Sequence, residues 1–377
     1  MATALLASNQ SAVFIRTQTV LGTFANPTTL NADGTGGNVG TYAIRAIGAP
    51  KFAVRGAGII DRKEVFTPWG GNTSSRTGGL GWDITLQTEF FWRFGLAYDL
   101  DLSTQTQLAA LWLASPWAIS NEVNAGPVPP ASNDTLLAVQ PFFEPLPSRA
   151  AIGLNPAVPY AVQPFSMVYE ETGGKRYEAK DCVALPKISW EYGQRVMIDW
   201  TIKGTWRPVL DSTDVQPVYP EQYTPTAAPQ PPVIGVNCAL TVTGLTVGID
   251  AVTKVTIDTG WTLNDVGDTR QEYGFGISFF RLDASPSLEI EMAEFDETAQ
   301  ASWTQAQANT IGTSIVLVMT LVASPIQAWT ITLANPQYVA FPENGGETNG
   351  YRSNALKWQA IPDDSGTLLS FKMSSVP

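Results

Sequence analysis

Alternation with a period of two dominates the chain. From Trp82 to Phe94 the even positions read Trp82, Ile84, Leu86, Thr88, Phe90, Trp92 and Phe94, and the odd ones Asp83, Thr85, Gln87, Glu89, Phe91 and Arg93. Successive side chains of a strand point to opposite faces, so this spacing predicts a strand with one core face and one wet face. In the cleanest case, Val196, Ile198, Trp200, Ile202 and Trp206 alternate with Arg195, Asp199, Thr201, Lys203, Thr205 and Arg207. Tyr192-Gly193-Gln194 supplies a hairpin turn back to a strand through Ile188 and Trp190. Later, Tyr273, Phe275, Ile277 and Phe279 alternate with Gly274, Gly276, Ser278 and Phe280, and Leu288, Ile290 and Met292 with Glu289 and Glu291. Ile315, Leu317, Met319 and Leu321 extend the theme. Gln105 to Trp117, closed by Pro116, and Phe295 to Ala308 read as short helices. The expectation is a mainly β protein of antiparallel sandwich-like or barrel-like domains with a short helix in each.

Breakers divide this pattern. Pro217, Pro220, Pro225, Pro229, Pro231 and Pro232 deny backbone donors and favour an extended linker. A first domain over 1–215, a linker over 216–232 and a second domain over 233–377 follow, in line with 377 residues at roughly 150 per domain. A second proline-rich stretch, Asn124 to Pro147, reads as a long excursion inside the first domain. A glycine-rich loop precedes an aromatic strand at Gly70 to Phe94 and again at Gly260 to Phe279, each followed by a candidate helix. Duplication would produce that order, and so would any antiparallel β protein.

Composition narrows the chemistry. The net charge is −12 with an isoelectric point near 4.5, which disfavours tight binding of polyanions. Histidine is absent, which removes imidazole acid/base catalysis, the Ser-His and Cys-His nucleophiles and imidazole-ligated metals. Only 15% of residues are charged, against about 25% in ordinary domains, while aromatic residues are plentiful, so much surface is expected to meet other chains. Cys182 and Cys238 form neither a CxxC motif nor a cluster and read as reduced, packed thiols. No basic segment precedes an apolar one at the N-terminus and no apolar run reaches 18 residues, so a soluble protein without an export signal or membrane span is expected.

Candidate motifs are few. Glu170-Glu171-Thr172-Gly173-Gly174-Lys175 resembles a phosphate loop only in part, because Tyr169 stands at the first glycine and Arg176 at the Ser/Thr; a hairpin turn fits better. Asp99 with Asp101, or Asp265, Asp268 and Glu272, could offer oxygens to a hard cation but lack the EF-hand pattern, so no metal or other cofactor is expected. A glycosidase needs only two carboxyl groups about 5 to 10 Å apart, and Asp83 with Glu89, or Glu289 with Glu291, share strand faces. Alternation alone puts acids there. Trp82, Trp190, Trp200 and Trp206 fall on the core phase of their strands. Trp69, by contrast, sits in a long polar, glycine-rich loop over residues 59–81, and loops of that length are often functional.

The run Gly79 to Glu89, the helix around Leu108 to Trp112, the hairpin Phe165 to Arg176 and the strand Gln194 to Trp206 together resemble the major tail tube proteins of long-tailed bacteriophages. Ala239 to Asp268, Tyr273 to Arg281, Leu288 to Met292 and the closing Ile326 to Gly366 look like a second copy. The resemblance implies a non-enzymatic virion protein whose inner sheets join side by side into rings that stack as a tube for DNA ejection. It further implies a homo-oligomer, a trimeric ring of six pseudo-equivalent domains being favoured over a hexameric one, assembled in the host cytoplasm with tape measure and tail terminator proteins. Glu64, Phe66, Trp69, Asn72 and Arg76 would make inter-ring contacts. Asp83, Glu89, Asp199, Glu289 and Glu291 would line the bore, and viral DNA would pass them without specific binding. A phage carbohydrate-binding or adhesin module and a carboxylate-pair glycosidase are the alternatives.

Overall fold

The computed structural model describes residues 11–18, 20–27, 41–44, 46–56, 59–62, 73–76, 80–89, 111, 114–115, 134–139, 164–171, 175–211, 238–243, 252–265, 279–282, 285–293, 304, 306–321, 327–339, 343–348, 351–364 and 368–375. Before the proline-rich segment the strands are β1 (Ser11–Thr17), β2 (Thr41–Ile44), β3 (Lys51–Arg55), β4 (Ile59–Arg62), β5 (Thr73–Arg76), β6 (Gly81–Glu89), β7 (Asp134–Val139), β8 (Phe165–Glu171), β9 (Lys175–Glu191), β10 (Met197–Trp206) and β11 (Leu210–Asp211). After it come β12 (Cys238–Thr243), β13 (Val252–Asp258), β14 (Trp261–Asn264), β15 (Phe279–Leu282), β16 (Ser287–Ala293), β17 (Ser314–Leu321), β18 (Gln327–Ala334), β19 (Gln337–Tyr338), β20 (Glu343–Thr348), β21 (Tyr351–Gln359) and β22 (Leu369–Ser375). The protein is mainly antiparallel β, and helix among the described residues is confined to Leu111, Thr304 and residues 306–308.

The main path of the largest sheet runs β3, β6, β10, β9, β13, β16, β21, β19. It passes between the two parts of the chain at β9 and β13, where Glu191 to Lys187 pair with Lys254 to Asp258. β19 and β20 lie along the same outer edge of β21, opposite Trp358 to Gln359 and Tyr351 to Ala355. Ranked by chain position, β3, β6, β10 and β9 read first, second, fourth, third; β13, β16, β21 and β19 read the same. A two-stranded hairpin sits between the first and second strand of each set, β4 with β5 and β14 with β15. Helical Leu111 then follows β6 in the chain, and helical Thr304 and residues 306–308 follow β16.

Paired residues of an antiparallel ladder share a face. One cross-strand row reads Thr88, Ile198, Ile188, Ile257, Leu288, Trp358 and Tyr338. All but Tyr338 are buried, and Thr88, the polar member, accepts a hydrogen bond on Oγ1 from Trp200 Nε1 at 2.9 Å. A five-stranded sheet, β12, β17, β18, β22, β7, contributes Ile315, Leu317, Ile331, Leu333, Leu369 and Phe371 to the same core. Phe52, Trp82, Tyr169, Tyr177 and Trp206 form an aromatic cluster, with the Phe52 and Tyr177 rings 5.3 Å apart. Of the four tryptophans expected in the core, Trp82, Trp190 and Trp200 are buried and Trp206 packs partly buried against it.

β9 carries the bend that splits the sheet. One edge pairs with β10 and β11; the other pairs first with β8, then with β13. Within the β8 pairing, where the register shifts between Ala179 and Cys182, Asp181 adopts φ +52°, a left-handed conformation that aspartate tolerates better than most residues; the β10 ladder shifts register at the same place. Its buried carboxylate accepts hydrogen bonds from Gly22 N (2.7 Å) and Gln18 Nε2 (3.2 Å), while its own N–H donates to Gln18 Oε1 (2.7 Å). Those bonds tie Gln18 and Gly22 to β9 at this point.

The hairpin at Tyr192-Gly193-Gln194 is present: Gly193 has φ +73° and Gln194 N donates to Glu191 O at 3.0 Å, the geometry for which a glycine is suited. β8 and β9, which flank residues 172–174, pair antiparallel as the expected hairpin requires, and residues 172–174 themselves lie outside the described residues. One expectation is corrected. Within the Asn124 to Pro147 stretch, residues 134–139 are β7, which pairs with β22 from the chain's end rather than forming an excursion within the first part. Register with a distant strand has no signature in local sequence. The linker 216–232, the remainder of the Gln105 to Trp117 segment apart from 111 and 114–115, and the alternating positions 90–94 and 273–278 lie outside the described residues.

Candidate functional surface

The face of the long sheet opposite its core rows is mostly polar across both parts of the chain, with Val183 buried in its row toward the β3 end. One row reads Gln87, Asp199, Lys187, Asp258, Ser287, Gln359 and Gln337. The next reads Glu89, Met197, Ser189, Thr256, Glu289 and Lys357, and another Glu191, Lys254, Glu291 and Ala355. Ala53, Asp83, Lys203 and Val183 form a row toward the β3 end. Register therefore puts Asp83, Glu89, Asp199, Glu289 and Glu291 on one face, although they are drawn from three strands and both sides of the proline-rich segment.

Bases interleave with these acids. Arg55 Nη1 lies 3.1 Å from Asp83 Oδ1 and 3.2 Å from Asp265 Oδ1, and Lys203 Nζ lies 3.6 Å from the same Asp265 oxygen. Lys254 Nζ lies 3.1 Å from Glu291 Oε1, Lys357 Nζ 3.9 Å from Glu289 Oε2 and Lys187 Nζ 4.0 Å from Asp258 Oδ2. Asp199 accepts a hydrogen bond from Gln87 Nε2 at 2.8 Å. The hydrogen bond and charge of Glu291 raise the Lys254 pKa above its usual 10.5. Alternating signs on neighbouring strands give a face whose charges are compensated locally, with no long basic track among the described residues to hold a polyanion.

A second charge cluster escaped the sequence reading. On the β8–β9 hairpin, Arg176 Nη1 donates to Glu170 Oε1 at 2.8 Å and Nε to Glu178 Oε1 at 2.7 Å, while Arg207 Nε donates to Glu178 Oε2 at 2.8 Å. Arg176 Nη2 reaches Asn26 Oδ1 at 3.0 Å, and the Arg207 guanidinium carbon stands 4.1 Å from the Phe24 ring centre. The side chains of Glu170 and Glu178 are each only 4% exposed. Burial raises the pKa of Glu170, the Arg176 charge and hydrogen bond opposing the rise and the Glu178 charge adding to it. The hairpin places Glu170 opposite Arg176, which was the available signal; the burial was not.

Glu64, Phe66, Trp69 and Asn72, expected to make inter-ring contacts, lie outside the described residues; Arg76 ends β5, opposite Ile59 of β4. Cys182 is fully buried and its thiol pKa lies well above the usual value, chiefly through desolvation. Among the described residues no group of three or more His, Cys, Asp or Glu side chains is placed to hold a metal ion, and no helix is long and apolar enough to cross a membrane. No protein-family model matches this chain, and no curated protein matches it.

Proposed function

We propose that this chain is the subunit of a phage-type tail tube: a duplicated structural protein that polymerises into stacked rings around a bore through which DNA passes. The observation that carries the reading is the twice-used strand order of the long sheet, first, second, fourth, third, with the two sets joined edge to edge through β9 and β13. A chain built this way is an arc of two units. Repeating the same junction between chains extends the arc, and a closed ring leaves no sheet edge exposed.

The polar face supports the reading in a form that differs from a bare acidic lining. Asp83, Glu289 and Glu291 are paired with bases, so the bore surface would be a mosaic of compensated charge carrying a modest acidic excess. Such a wall offers a phosphate backbone little to release counterions against. The same pairing speaks for a fixed charge pattern over a hydrolytic acid pair.

Negative-stain electron microscopy and sedimentation velocity of the purified full-length protein test the proposal. Rings with a central hole, stacking into tubes as concentration rises, are the expected result. Persistent monomers across that range, with no rings in the presence of tail-assembly partners, would overturn it.

A further inference from the structure

The internal junction also specifies an external one, an inference that rests on the ring reading above. We infer that the outer edge of β20 in one copy pairs antiparallel with β3 of the next, in the register by which β9 pairs with β13.

Two sets of observations lead there. Phe52, Ile84 and Ile202 form one cross-strand row and Val255, Ile290 and Leu356 another. Matching these rows brings the first residues of β6 and β16, Gly81 and Ser287, into correspondence, and also the last residues of β3 and β13, Arg55 and Asp258. The two ladders thus end at corresponding pairs, Arg55 opposite Gly81 and Asp258 opposite Ser287. Along it, Ala53 corresponds to Thr256. Met197 corresponds to Tyr351, so Ser189, opposite Met197, corresponds to Thr348, opposite Tyr351. Ser189 pairs with Thr256 at the internal junction. Thr348 of one copy is thereby set opposite Ala53 of the next.

The edges themselves carry the second argument. Among the described residues β3 pairs only with β6, and β20 only with β21. Of the eight exposed large apolar side chains among the described residues, four lie at the ends of the sheet: Ile47 (36%) and Val54 (47%) at the β3 end, Ile311 (57%) and Val339 (47%) at the β19 end. Val54 occupies a core-face row beside Trp82, and it is exposed because the row stops there. At the β19 end, Ile311 bridges to Gln337, and Val339 N donates to Lys357 O. Exposed apolar margins on a sheet mark a contact, and margins of different rank at opposite ends make that contact head-to-tail. The occupant of each margin is a second copy of this chain.

The test is a pair of cysteines, Ala53→Cys with Thr348→Cys, introduced together into the full chain and oxidised mildly, with mass mapping of the linked peptides and microscopy of the wild type in parallel. A bond between positions 53 and 348 of different copies, absent from each single variant, is the expected result. As a second arm, Val54→Lys should leave a folded protein by circular dichroism and weaken self-association at least about tenfold. Wild-type rings with no 53–348 bond, and with Val54→Lys assembling normally, would overturn the edge assignment while the ring reading stands. Linked rings that never stack would support the edge and sink the tube. A wild type that stays monomeric without forming the bond overturns both.

Discussion

Acid–base pairs occur in two settings here, short contacts in buried surroundings and longer ones on an open face. Around Arg176 the N···O distances are 2.7 and 2.8 Å and both carboxylates are 4% exposed. On the polar face, Lys254 and Glu291 approach to 3.1 Å with side chains 40% and 32% exposed, and Lys357 and Glu289 to 3.9 Å with 47% and 36%. In the buried cluster water cannot replace a missing partner; on the open face it can. The first set locks the β8–β9 hairpin to residues 24–26. The second distributes charge across strands and contributes little to holding them.

The strongest way to break the comparison is Arg176→Ala. It strips both Glu170 and Glu178 of a guanidinium while leaving them buried, and should cost about 3–5 kcal/mol in urea denaturation. A loss below about 1 kcal/mol would mean that the cluster hydrates as the open face does.

Acidity separates the settings next. Burial raises the Glu170 pKa above 4.5, so the folded protein holds that proton more tightly than the unfolded chain. The stability contributed is fully present below the unfolded value and is lost as pH rises through the folded one. Glu170→Gln has no such dependence. The stability of the wild type minus that of Glu170→Gln should therefore fall as pH rises past the usual carboxyl value of 4.5. A flat or rising difference would show that Arg176 outweighs burial.

Much of this architecture was legible, and what was hidden shares one cause. Alternation from Trp82 to Glu89 and from Val196 to Trp206 marked strands, their buried faces and the acids opposite, because period two is a local property. Gly193 marked its turn for the same reason. Local pattern could not say that Lys187 to Glu191 would pair with residues 254–258 more than sixty positions on, or that residues 134–139 would find β22. The gathering of candidate acids on one face follows from that long-range register, and so does their pairing with Lys254 and Lys357. Asp181 gave no signal either: its left-handed backbone depends on Gln18 and Gly22, which the fold brings to it.

The smallest expected effect is on the open face. Lys254→Ala removes a hydrogen-bonded partner of Glu291, yet both side chains keep access to water, so the loss should be at most about 1 kcal/mol and should shrink further at about 1 M salt. The sign with pH is opposite in origin to that of Glu170. Here the folded state favours the charged amine, so the contribution is full below the usual 10.5 and disappears as pH rises through the raised value. Denaturation of wild type and variant at low and high salt checks both points. A salt-insensitive loss as large as that of Arg176→Ala would mean that the polar face is a structural lock, and the contrast between the two regions would fail.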